Sequence, residues 1–119
     1  MGSSEEVNRR GEAAREIARP QAGFFQIRLV RKGPFVPSRI FVSDGLWGVI
    51  INGDECGNRV EDPILNYHIS RVWEHGVRIE EVEYDNLLLI ALWAPENAPD
   101  RPEAKPNEPI ILSEMRSIF

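Results

Sequence analysis

Gly23-Phe24-Phe25-Gln26-Ile27-Arg28-Leu29-Val30-Arg31 is the stretch that decides the fold class. Phe25, Ile27 and Leu29 alternate with Phe24, Gln26, Arg28 and Val30. This period of two predicts a strand near 23–31 with one clearly apolar face, because successive side chains of a strand point to opposite sides. Gly33-Pro34 and Pro37 mark a loop after it, and Ser38 to Ser43 reads as a second strand. Asp44-Gly45 is a hairpin signal, since a tight two-residue turn demands positive φ values that these residues tolerate. Leu46 to Ile51 is then a third strand, closed by a second such signal at Asn52-Gly53, and Glu55 to Val60 offers a short fourth. In this reading Phe25, Ile27, Leu29, Ile40, Val42, Trp47, Val49 and Ile51 form the core face.

Working outward, the period changes from two to helical. Asp62-Pro63 forms an N-cap and first-turn pair, and Ile64, Leu65, His68, Ile69 and Val72 recur at helical spacing. They predict a helix over 63–75 that stops at Gly76. A second helix is predicted from Ile79 to Ala94, with Glu80, Glu81, Glu83 and Asp85 in its first two turns, where negative charge suits the helix dipole. Its second half, Leu87 to Trp93, is apolar nearly all round and is expected to be buried on more than one side, by the sheet and either the other helix or another subunit. The fold class is therefore α+β, a three-stranded antiparallel meander packed by two helices over residues 23–94. Residues 1–22 form a charged segment with a frayed or partner-dependent helix at 5–18, capped by Ser4 and stopped by Pro20. Residues 95–119 form a Pro-rich linker and an apolar tail.

Composition narrows the function classes. The net charge of −5, in a chain of 119 residues with 42% hydrophobic and 28% charged residues, suits one globular domain and argues against a protein that coats duplex DNA. Residues 1–60 hold nine bases and seven acids, whereas residues 61–119 hold five bases and twelve acids, which suggests two ends with different partners. The longest apolar run, Leu87 to Ala94, is eight residues, too short to span a bilayer, and the first twenty residues are charged rather than leader-like. A cytoplasmic protein without membrane contact is the expectation. Cys56 is the single cysteine, so no internal disulfide framework exists.

The run from Gly23 through Gly33-Pro34-Phe35 to Ile40 resembles the opening of a group of short tailed-phage and prophage proteins. The similarity continues through Asp44-Gly45, Trp47, Asn52-Gly53, the run Ile79 to Leu88, the Pro-rich stretch and the C-terminal Ile118-Phe119. The resemblance implies phage or prophage origin and no known activity. The chain departs from that pattern in a longer insert at 55–78 and in Met115-Arg116-Ser117.

No constellation of catalytic residues stands out. His68, Glu74 and His75 lack the compact pairing and third ligand of a zinc site. Cys56 sits between Glu55 and Gly57 just after a hairpin signal, without the adjacent base that a nucleophilic thiol needs. The glycines sit singly at turns, so there is no phosphate loop or dinucleotide fingerprint. No metal, cofactor or catalysis is expected.

Three binding surfaces are candidates. Phe24, Arg28, Arg39 and Phe41 share the second sheet face, and arginines beside aromatic rings suit single-stranded nucleic acid unless helices cover them. Glu80, Glu81, Glu83 and Asp85 form an acidic surface for a basic partner, including by imitation of nucleic acid. Ile110, Ile111, Leu112, Ile118 and Phe119 form a tail that either docks on its own domain or is presented to a partner. The leading expectation is a non-enzymatic phage-type protein that binds a host or phage protein, with a homodimer as a further expectation. A small single-stranded-nucleic-acid-binding accessory protein is the alternative.

Overall fold

The computed structural model describes residues 19–110. The expected helix at 5–18 and the tail residues Ile111, Leu112, Ile118 and Phe119 lie outside them.

Two hairpins build the centre. Strands β1 (Gly23–Arg28), β2 (Phe35–Ser43), β3 (Leu46–Ile51) and β4 (Asp54–Glu55) follow one another as an antiparallel meander. Asp44 and Gly45 have φ of 54° and 76°, and Asn52 and Gly53 have 53° and 89°, the positive pair that each two-residue turn requires. The register sets Phe25 opposite Ser38, Ile27 opposite Val36, and Ile40 opposite Val49. The first strand ends at Arg28 rather than near 31, because the chain turns through Lys32 (φ 64°) and the Gly33 amide donates to the Val30 carbonyl.

The second strand begins at Phe35, three residues before its expected start, and therefore contains Pro37. Pro37 is tolerated because N–H and C=O of one strand residue face the same side. Its carbonyl accepts from the Asn52 amide, so the missing donor falls where β3 has already given way to its turn.

A fifth strand was not evident in the sequence. After β4 the chain forms a short 3-10 turn (Pro63–Leu65), helix α1 (Tyr67–His75), strand β5 (Val77–Ile79) and helix α2 (Glu81–Asn97). Strand β5 pairs antiparallel with Phe24–Gln26, giving the sheet order β4-β3-β2-β1-β5. Over the described residues the protein is thus α+β with a five-stranded antiparallel sheet and two helices, rather than a three-stranded sheet. Three residues are too few to show a period of two, and in the sequence Ile79 reads as the start of the helix that follows.

The single helix expected over 63–75 is divided at Asn66. Its Oδ1 accepts from the amides of His68 and Ile69, and its Nδ2 donates to the carbonyls of Cys56 and Asn58. This fully bonded, buried cap restarts the helical phase, so Ile69, Val72 and Trp73 face inward while Ile64 and Leu65 stay in solvent. Gly76 closes α1 in an extended conformation. A Cβ there would press on the Val72 carbonyl and on Ile27, so close approach rather than positive φ demands glycine.

The two helices lie on opposite faces of the sheet. On one face Ile69, Val72 and Trp73 of α1 pack with Phe25, Ile27, Val36, Ile40, Val49 and Ile51. Trp73 meets Phe25 edge-on, with centroids 6.1 Å apart. On the other face Tyr84 of α2 lies over Phe24, 5.1 Å between centroids. Of the expected core, Val42 is exposed, since it stands at the end of β2 next to the turn.

Helix α2 runs to Asn97 and carries Pro95 in its last turn, three residues beyond its expected end. The proline forfeits only one amide near the terminus, and the Ala98 amide still reaches the Ala94 carbonyl. The following residues do not run out as an extended linker. They turn through a 3-10 segment (Pro102–Ala104) that packs on α2, with Arg101 forked onto Glu103 at 3.0 and 3.1 Å, and return to the β1–β2 loop. There the Ile110 amide donates to the Lys32 carbonyl.

Candidate interaction surface

Helix α2 divides its residues sharply. Tyr84 and Ala94 are buried against the sheet, and Leu87, Leu88, Ile90 and Ala91 are half-buried beside them. The opposite side carries Val82 at 60% exposure, Leu89 at 65%, Leu92 at 64% and Trp93 at 49%. The apolar stretch 87–93 is therefore covered on one side only, in contrast to its expected burial on more than one. Contiguous apolar surface of this kind, about 300–600 Å² on a typical monomer, is often a functional patch.

The acids divide as well. Glu81, Glu83 and Asp85 are exposed on the first two turns of α2, and Glu80 sits at its N-cap position without a side-chain cap bond. At about 100° per residue, Asp85 falls among the apolar residues of the outer face and Glu83 does not. Glu96, which was not among the acids singled out from the sequence, is exposed and falls on that face too. The missed signal was its spacing, one turn beyond Leu92 and Trp93.

The second sheet face brings Phe24, Arg28, Arg39 and Phe41 together, as the period of two requires, and the chain itself occupies their rings. Arg28 lies 4.1 Å over Phe35 and donates to the Gly33 carbonyl. Arg39 stands 5.4 Å from the Phe24 ring and 5.9 Å from Phe41, and Arg59 stands 5.0 Å from Phe41. The tip of Phe41 lies on Gly48, where an added Cβ would meet the ring at 2.6 Å. Phe24 is covered by Tyr84, whose hydroxyl pKa is raised by burial, against a lowering influence from Arg39. Arg59 is held by Glu55 at 2.7 Å, a hydrogen bond that lowers the Glu55 pKa. Stacking of a base on these rings would have to displace existing partners, whereas the exposed Arg39 has no ion-pair partner among the described residues.

Chemistry-bearing residues elsewhere are scattered. Cys56 donates its Sγ–H to the Asp54 carbonyl and packs beside the core. His75 and Glu74 are 4.0 Å apart at the exposed end of α1. Among the described residues no group of three potential ligands is placed to hold a metal, and no helix is long and apolar enough to cross a membrane. Of the tail, Ile110 is half-buried and held at Lys32. No family model matches the chain, and no curated protein or solved structure matches it.

Proposed function

We propose that this chain is a non-enzymatic binding domain that acts by protein–protein interaction through the outer face of α2. One observation carries the reading: α2 seals the sheet with one side and holds Val82, Leu89, Leu92 and Trp93 in solvent on the other. The sheet and the 3-10 turn hold the helix in place, so binding needs no costly ordering of a loop. Trp93, half exposed between leucines, has the character of an interface anchor, because large aromatic side chains carry much of the energy of interfaces. The resemblance to short tailed-phage and prophage proteins supports a host or phage protein as the target, in host takeover, regulation or anti-defence.

The test is a tagged pull-down from infected or lysogenic cells with wild type, Leu89→Asp and Trp93→Ala. A protein captured by wild type and lost by both variants, at an unchanged melting temperature, is expected. Equal capture by all three would remove α2 from the reading. The alternative, single-stranded nucleic acid on the second sheet face, is supported by Arg39 standing exposed beside two rings. It requires salt-sensitive oligonucleotide binding that Arg28→Ala with Arg39→Ala weakens.

A further inference from the structure

We infer that the partner seated on α2 is cationic: an apolar groove with basic groups at its two ends, and not a second copy of this chain. The inference rests on reading the outer face of α2 as the interface. Placed at about 100° per residue, Asp85, Leu89, Leu92, Trp93 and Glu96 share one arc roughly 100° wide, with Val82 beyond them at the N-terminal end. Every one of these residues is exposed. The face therefore reads acid, apolar patch, acid.

Asp85 and Glu96 are eleven residues apart, which sets their carboxylates about 16 Å apart along the axis at 1.5 Å per residue. Neither has an ion-pair partner among the described residues, and α2 contains no Lys or Arg.

Symmetry decides against self-pairing. In an antiparallel pairing of two copies, laying Leu89 on Leu92 of the second copy also lays Asp85 on its Glu96, and the two-fold axis repeats the clash at the other end. A parallel pairing sets Asp85 on Asp85 and Glu96 on Glu96. Both bring like charges together beside a desolvated apolar patch, where the penalty grows because the local dielectric constant is low. A groove flanked by Lys or Arg with the same spacing turns each repulsion into attraction and leaves the apolar contacts as they are.

Two labelled helical peptides of about twenty residues serve as probes, identical in their leucine stripe and flanked, eleven residues apart, by Lys in one and Glu in the other. Fluorescence anisotropy should show the Lys-flanked peptide binding the full chain at least about tenfold tighter, with the preference shrinking as salt screens the charges. Asp85→Lys with Glu96→Lys should reverse the preference. In light scattering, wild type should remain monomeric. Glu96→Lys alone should self-associate, because the antiparallel pairing then sets Asp85 against a lysine at both ends.

Equal binding of both peptides, lost in Leu89→Asp, would overturn the cationic partner while leaving α2 as the interface. A wild-type dimer dissolved by Leu89→Asp would do the same and make the second copy the occupant. Absence of peptide binding and of self-association in every variant would overturn the α2 reading itself, and the inference with it.

Discussion

Helices α1 and α2 each close one face of the same sheet, and they do so by different means. The inward side of α1 consists of Ile69, Val72 and Trp73, all buried, while its outward side is Tyr67 in the first turn, then Ser70, Arg71, Glu74 and His75. Its aliphatic residues and Trp73 all lie on the face they cover. In α2 the apolar residues continue around the cylinder, so that covering the sheet leaves Leu89, Leu92 and Trp93 over. A run of apolar surface left over in α2, against only Tyr67 at the start of α1, teaches that the sheet does not need the outer half of α2. In the proposed reading, stability and binding fall to different sides of one helix.

The largest effect should come from the two tryptophans on opposite sides of that division. Trp73→Ala removes the ring packed on Phe25 and should cost about 3–5 kcal/mol in urea unfolding. Trp93→Ala should cost about 1 kcal/mol or less, as a half-exposed side chain does. Comparable losses in the two variants would break the comparison.

A smaller effect is expected at the entrance to α1. Asn66→Ala strips the cap from two amides and a donor from the carbonyls of Cys56 and Asn58, and should destabilise by about 2–3 kcal/mol. Amide hydrogen exchange should show the loss at α1 and the 56–66 loop, with α2 unchanged.

Ser38 sharpens the comparison from within the α1 face. Its hydroxyl is fully buried between Phe25 and Ile51 with no hydrogen-bond partner. Ser38→Ala should leave the midpoint unchanged or raise stability by up to about 1 kcal/mol, because an unpaired buried hydroxyl is replaced by hydrogen. A clear loss would mean that this face depends on the hydroxyl.

The smallest effect is the response to acid on the other side of the sheet. The hydrogen bond from Arg101 lowers the Glu103 pKa, and that from Arg59 lowers the Glu55 pKa. A carboxylate lowered on folding adds stability that is complete above the ordinary glutamate value and is lost as pH falls through its folded value. Carboxyl NMR titrations should therefore place both midpoints below those of solvated glutamates, with Arg101→Ala returning Glu103 to the ordinary range. Both pairs are largely solvated, so the melting temperature should move little.

By itself the sequence determined whatever depends on near neighbours. Asp44-Gly45 and Asn52-Gly53 specified two hairpins because positive φ is a property of the turn residues themselves. The alternation from Phe24 to Ile27 sorted Phe24, Arg28, Arg39 and Phe41 onto one face, since the register preserves the period of two. Only the tertiary structure decided what depends on distant partners. Strand β5 exists because Phe24–Gln26 offered a free edge, and the helix break at Asn66 depends on the carbonyls of Cys56 and Asn58. The same holds for Leu89, Leu92 and Trp93. A run that is apolar on all sides does not say which side will meet the sheet; the contact of Tyr84 with Phe24 fixes the rotation of α2 and thereby chooses the residues left facing solvent.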